Sequence, residues 1–405
     1  ASSDYPLRDV YKRQSYSFFE ALPKENSISQ VYKLDLSKYL FKNEDGNTHV
    51  FRTIIEATNN LLIDTMNNKL DKEYPITEGN IEFAELTKKL VFGEELYNKL
   101  SNRISTTQTI GRTGGLRLIS EFLSKYHSCT VHIPNPLNKQ YFDIFSYSKF
   151  TVKTYPFYDY INQNILKNDM MNYLNEIPDK SVILLNYFDN PIDFTLSIDD
   201  LLDLSEIINK KSHFVIFDFA YQGLISGDLD KDAAIVRHLA NSKISMAVLQ
   251  SFSKNMTLYG EKIGSLLILS ENEKIAKNIE QNLIIQVRTN YGMPPIFSKR
   301  LIIYILSNQQ LFDLWKKELK DLHQISNERK MKFKIEMLRL KNKIDKSLNN
   351  FNQLFFQLSL NEDQIKMIKE DYDINILKDR MINIGELNSK AIEYCTIALN
   401  KILYK

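Results

Sequence analysis

Two cysteines, Cys129 and Cys395, are all that 405 residues contain. That excludes a disulfide framework and any cysteine-rich metal cluster, and it fits a reducing compartment, here expected to be the cytoplasm. The six histidines are scattered, with no HExxH pair, so His127 and His132 read as ordinary surface or core residues and no metal site is expected. The formal net charge is only +2, which gives no electrostatic basis for binding nucleic acid or an anionic membrane. No apolar run approaches the ~18 residues of a membrane helix; "RLIIYIL" (300–306) reads as a buried element. The first residues lack a basic stretch followed by an apolar one, so no secretory signal is expected. Glycine is scarce as well, 12 residues where about 7% of a chain is usual. Eight of them gather at 111, 114 and 115, at 223 and 227, at 260 and 264, and at 292. A glycine-poor chain that keeps its glycines in groups needs unusual backbone geometry at those places.

What is present is an ordinary globular composition, 43% hydrophobic and 25% charged. Apolar β-rich runs, "CTVHIP", "SVILLNYF", "HFVIFDF", "ISMAVLQSF" and "IGSLLILS", alternate with helical patterns such as "SIDDLLDLSEIINKK", where Ser197 and Asp200 have capping-box spacing. This predicts an α/β fold, a large domain with a mainly parallel mixed sheet flanked by helices. "IGSLLILS" follows its predecessor so closely that it is expected to run antiparallel. A long charged helix, "FDLWKKELKDLHQISNERKMKFKIEMLRLKNKI", then bridges to a smaller α+β domain formed by both termini. The expected division is 1–14, an N-terminal arm or expression remnant; 15–48, the first part of the small domain; 49–300, the large cofactor-binding domain; and 301–405, the linking helix with the rest of the small domain.

Ligands of open α/β sheets sit at the carboxyl ends of the strands, and phosphates sit at helix N-termini. Four segments have that character: "TIGRTGGL" (109–116), "FDNP" (188–191), "FDFAYQG" (217–223) and "SFSK" (251–254). Any one of them is an ordinary capped strand end; four together point to a shared ligand. The helix start, Ser251 and a cation suit a phosphate. A buried carboxylate such as Asp218 suits a protonated ring nitrogen, a phenol and an amide suit a ring oxygen, and a lysine amine suits an aldehyde. Pyridoxal phosphate carries all of these groups.

The blocks "QTIGRTGGLRLISEFL", "FDFAYQGLISGDLDKDAAIVR", "LQSFSKNMTLYGEKIGSL", "VRTNYGMPP" and "LSNQQLFDLWKKEL", in this order, resemble the aspartate aminotransferases, within the class I family of fold-type I pyridoxal-phosphate enzymes. The resemblance runs from roughly residue 15 to the end of the chain. It implies transamination of L-aspartate with 2-oxoglutarate to oxaloacetate and L-glutamate, in a homodimer with shared active sites. Lys254 would hold the cofactor as a Schiff base and then move the substrate proton. Asp218 would keep the ring nitrogen protonated. Tyr221 and Asn190 would hold the ring oxygen, with Asn190 also facing substrate. Gly111, Arg112, Thr113, Ser251, Ser253 and Lys262 would complete the cofactor set. Tyr74, from a second subunit, would reach the phosphate. Arg288, from that same partner, would clamp the distal carboxylate in a two-bond fork.

The chain departs from the family at several points. Lys262 stands where a phosphate-binding arginine is usual, and Arg112 where a glycine is. Pro136 falls near the place of the aromatic ring that stacks on the pyridine, with Tyr141 close by. In "DRMINIGEL" a gap-free match puts Met381 at the arginine that clamps the substrate α-carboxylate, and Arg380 one residue before it. A bulge would bring Arg380 back; without it, loss of such a partner costs roughly 2–5 kcal/mol. The alternatives to a working aspartate aminotransferase are therefore an enzyme with altered specificity and a dimeric protein that keeps the fold with weakened or lost catalysis.

Overall fold

The computed structural model describes residues 33–403 except 39, 68, 75–79, 128–129, 137–138, 160–163, 187–197, 341–354, 359 and 377–380. The expected N-terminal arm, residues 1–14, lies outside the described residues, as do Asn190 and Arg380.

The chain enters through a short strand, β1 (Leu34–Asp35), and two helices, α1 (Arg52–Met66) and α2 (Ile81–Leu100). Strand and helix then alternate: β2 (Ile104–Ile110), α3 (Gly111–Tyr126), β3 (Thr130–Asn135), α4 (Lys139–Tyr147), β4 (Thr151–Pro156), the small hairpin β5 (Tyr158–Asp159) and β6 (Asn164–Ile165), α5 (Lys167–Glu176), β7 (Val182–Asn186), α6 (Ile198–Lys211) and β8 (Phe214–Phe219). After α7 (Leu229–Asp232) and α8 (Ala234–Asn241) come β9 (Met246–Ser251) and β10 (Ile263–Leu269). Three helices follow, α9 (Glu273–Tyr291), α10 (Ile296–Ser307) and the long α11 (Gln309–Leu340). The chain closes with β11 (Phe355–Gln357), α12 (Glu362–Tyr372), β12 (Ile374–Asn375), β13 (Met381–Asn383) and α13 (Ser389–Leu403).

Seven strands form one sheet in the order β2-β10-β9-β8-β7-β3-β4. Every pair is parallel except those made by β10, which runs antiparallel to both β2 and β9. The short connection after Lys254 leaves no room for a crossover helix, so the strand must reverse, as its spacing predicts. Strands β7, β9 and β10 are buried at every position, because helices cover both faces. Their side chains alternate between two cores. Ile183, Leu185, Met246 and Val248 join Phe92, Leu174, Ile208 and Leu239 on one face. Val182, Leu184, Ala247 and Leu249 join Leu116, Ile119, Leu123 and Leu283 on the other.

A smaller unit is built from both ends of the chain. β1 pairs in parallel with β12, and β11 pairs antiparallel with β13. Leu34 and Leu36 pack there with Phe333, Ile374, Ile382, Cys395 and Leu399. α11 ties the two units together. Trp315, Leu319 and Leu322 on its first half pack with Phe252 and Leu301, while Phe333 and Met337 on its second half enter the small core. Midway along it, buried Arg329 donates from Nη1 to Gly385 O at 3.0 Å and from Nη2 to Glu44 Oε1 at 2.8 Å.

Strand β4 carries no signal in the sequence, because an edge strand of Thr and Lys with half its surface in solvent lacks an apolar pattern. "ISTTQTI", just before the glycine-rich turn, is the other edge strand, β2. Among the described residues no helix is long and apolar enough to cross a membrane, and no group of three or more His, Cys, Asp or Glu is placed to hold a metal.

Candidate active site

The parallel register brings the carboxyl ends of β7, β8 and β9 to one edge. Asn186 pairs with Asp218, Asp218 with Leu249, and β9 ends at Ser251. Lys254 follows three residues later. Its Nζ lies 4.8 Å from the centre of the Tyr221 ring, in cation–π range. The backbone beyond it turns sharply: Thr257 N–H donates to Lys254 O at 3.1 Å, with Thr257 at φ 53°. A β-branched residue in the left-handed region is strained, and such strain is held only where the surroundings impose it. Here they do. Buried Asn255 donates to Gln222 O at 3.1 Å, Trp315 Nε1 donates to Asn255 O at 2.6 Å, and Gln250 Nε2 donates to Gln222 Oε1 at 2.9 Å. The lysine thus stands on a bed of buried amides that clamps β8 to β9.

Asp218 is 2% exposed. Its Oδ2 accepts from Tyr141 Oη at 2.8 Å and from Arg112 Nη1 at 3.2 Å. Asn186 Nδ2 donates to the same Tyr141 oxygen at 2.9 Å, and Arg112 Nη2 donates to Gln140 Oε1 at 2.6 Å. The acid is therefore a hydrogen-bonded, charge-partnered carboxylate, the form in which burial is tolerated. Nothing in the sequence marks this set, because Arg112, Gln140, Tyr141, Asn186 and Asp218 come from four elements that meet only in the fold. Tyr141 reaches the site by its hydroxyl, while Pro136 directly follows the last residue of β3.

The glycine-rich turn sits beside β9 and β10. Gly111 opens α3 at φ 61°, and no side chain caps the helix start. Ile263 pairs with Ile110, which sets Lys262 next to Gly111. Gly264 pairs with Ser251; a Cβ there would meet Gln250 O at 2.6 Å and the Gly111 carbonyl carbon at 3.1 Å. Glycine at 264 is what lets the turn, Ser251 and Lys262 converge. Thr113 is exposed at the helix start, and Ser253 N–H points at Ser251 Oγ across 3.4 Å. Open helix N–H groups, two hydroxyls and a cation suit a phosphate. With an amine at one strand end and a buried carboxylate at the next, the residues present fit a phosphorylated, aldehyde-bearing pyridine.

A cleft between the two units opens on Lys254 and Tyr221, with Leu40, Phe41, Tyr259 and Asn383 among its walls. Tyr259 Oη accepts from Phe41 N–H at 3.2 Å, and burial pushes its phenol up to about 12. The strand carrying Asn383 begins at Met381, the residue after Arg380. Tyr74 is 81% exposed, and Arg288 lies exposed on α9.

A model of the family described as aminotransferase class I and II matches residues 31–378. The chain belongs to the class I and II aminotransferases. This aminotransferase is 31% identical to the mitochondrial aspartate aminotransferase of Schizosaccharomyces pombe, over 96% of its own length and 88% of the relative's. It superposes on a mitochondrial aspartate aminotransferase from Trypanosoma brucei with a TM-score of 0.83, at 26% identity, covering 92% of this chain and 97% of that one. An aromatic-amino-acid aminotransferase from Burkholderia pseudomallei, covalently bound to pyridoxal phosphate, superposes with a TM-score of 0.86 at 23% identity, over 96% of this chain and all of that one. Further relatives of this aminotransferase carry the names of cytoplasmic and chloroplastic aspartate aminotransferases.

Proposed function

We propose that this aminotransferase works with pyridoxal phosphate and exchanges amino groups between L-aspartate and 2-oxoglutarate, giving oxaloacetate and L-glutamate, as a cytoplasmic homodimer. When bound, the cofactor supplies an aldehyde that captures the amino group and a ring that takes up the electron pair left as the Cα proton departs. Lys254 Nζ holds the cofactor between turnovers and carries the proton from the substrate Cα. Asp218 accepts from the protonated ring nitrogen, and Tyr221 with Asn190 holds the ring oxygen. The Gly111 turn, Thr113, Ser251, Ser253 and Lys262 hold the phosphate, with Tyr74 reaching it from the second subunit. Arg380 grips the α-carboxylate, and the partner's Arg288 grips the distal one. The proposed divisions at residues 14, 48 and 300 follow from this reading; the pairing of β1 with β12 supports a small domain made from both ends.

One observation carries the reading: Lys254, three residues past the end of β9, holds its amine over Tyr221 and lines a cleft between the two units, while buried Asp218 sits at the carboxyl end of the neighbouring strand β8. Borohydride reduction of protein incubated with pyridoxal phosphate, followed by peptide mapping, is expected to fix the label on Lys254. Label on another lysine, or none, would sink the proposal. The apolar walls Leu40, Phe41, Leu224 and Leu322 favour a second reading, a preference for large apolar amino donors. A kcat/KM for phenylalanine above that for aspartate decides for it.

A further inference from the structure

Arg112 occupies a position where the backbone alone would serve a phosphate. Yet its guanidinium does not turn out to solvent beside Thr113. It is only 15% exposed, and it runs across to the end of β8, where it pairs with Asp218 at 3.2 Å. It lies over the Tyr141 ring at 5.5 Å and donates to Gln140 at 2.6 Å. A fixed cation, which no pH in the working range neutralises, thus stands on the carboxylate that the ring nitrogen must reach.

We infer that Arg112 is an internal counter-ion which the cofactor's ring nitrogen displaces, so that it tunes how tightly the cofactor is held. This rests on the reading that Asp218 takes that nitrogen. The exchange conserves charge at the carboxylate: one N–H···O bond from a cation breaks at Oδ2 and another forms. It also has a cost, because the Arg112 clip must open each time the cofactor enters. Glycine at 112 removes the competitor. It also leaves Asp218, when the cofactor is absent, a buried acid with one cationic partner fewer.

The test uses two probes without the aldehyde, so that only non-covalent contacts count: pyridoxine 5′-phosphate and its counterpart with carbon in place of the ring nitrogen. Calorimetric titration of the cofactor-free full chain gives both affinities. Since a hydrogen bond to a charged group contributes roughly 1.5–3 kcal/mol, Arg112→Gly is expected to tighten the nitrogen-bearing probe by about 10- to 100-fold and leave the carbon analogue unchanged. Arg112→Lys, which keeps charge without the fork, is expected to fall between. Melting supplies a second readout. Arg112→Gly is expected to lower the Tm of the cofactor-free chain and not that of the loaded one, whereas a merely structural role lowers both. Weaker binding of both probes makes Arg112 a phosphate ligand and overturns the inference; so does no change, or an equal gain for both. Asp218→Asn separates the premise: if it leaves the nitrogen-bearing probe unaffected, the assignment of Asp218 fails whatever Arg112 does.

Discussion

Glu386 is an acid held in a buried setting. It is 2% exposed beside Asn383, whose amide is 3.4 Å from Oε1, and its Oε2 has no hydrogen-bond partner among the described residues. Burial pushes its carboxyl up from 4.5 to about 8; Lys42 and the Asn383 and Leu40 hydrogen bonds pull against that, while Asp35 adds to it. The native chain therefore holds a proton that the unfolded chain has released across that window. The stabilisation is full below pH 4.5 and is lost as pH rises through about 8. Each tenfold gain in proton affinity is worth about 1.4 kcal/mol, so the whole effect is on the order of a few kcal/mol. Glu386→Gln carries no titrating proton, so its Tm is expected to fall less than that of the wild type between pH 5 and 9. Parallel Tm curves for the two proteins would refute this. A neutral acid also suits the place, since Asn383 and Leu40 line the cleft and a negative charge beside them would oppose the proposed dicarboxylic substrate.

Among the elements, the antiparallel strand β10 has the sharpest geometric demand. It wedges between β2 and β9, and at Gly264 its backbone comes too near Gln250 O and Gly111 for any side chain. Gly264→Ala must push β10 away from the turn that opens α3. The expected cost is about 1–3 kcal/mol, the range for overpacking a tight core, read as a lower urea midpoint. Affinity for pyridoxine 5′-phosphate should drop with it. Loss of stability with unchanged affinity would dissociate the strand from the phosphate turn. This element also shows what the sequence makes legible. The glycines at 111 and 264, the aliphatic runs and the short step from Lys254 to Ile263 disclose the sheet, its reversed strand and the amine at its rim. They do so because local pattern and connection length restrict the chain strongly. The contacts around Asp218 are not legible, since they depend on register between strands far apart in sequence. β4 is missed for another reason, its lack of an apolar face.

At the scale of the whole molecule, several large apolar side chains lie exposed in one stretch of the chain. Leu62, Ile63 and Met66 on α1, Tyr74 after it and Ile81 at the start of α2 are all half-exposed or more, Met66 at 82%. Exposed side chains of this size and kind are what a partner surface covers, which supports the proposed homodimer. Symmetric pairing would turn Tyr74 and Arg288 from idle surface residues into parts of the partner's site. Mixed dimers decide this. Lys254→Ala and Arg288→Ala proteins, each inactive towards aspartate, are unfolded together and refolded at equal concentrations. If Arg288 serves the opposite subunit, a hybrid holds one site with both residues intact and one with neither. Random pairing makes half the dimers hybrids, so about a quarter of the wild-type rate is expected to return. If Arg288 serves its own subunit, every site in every hybrid lacks one of the two residues. The mixture then stays as inactive as its parents, and the shared site is excluded even if the protein proves dimeric by mass.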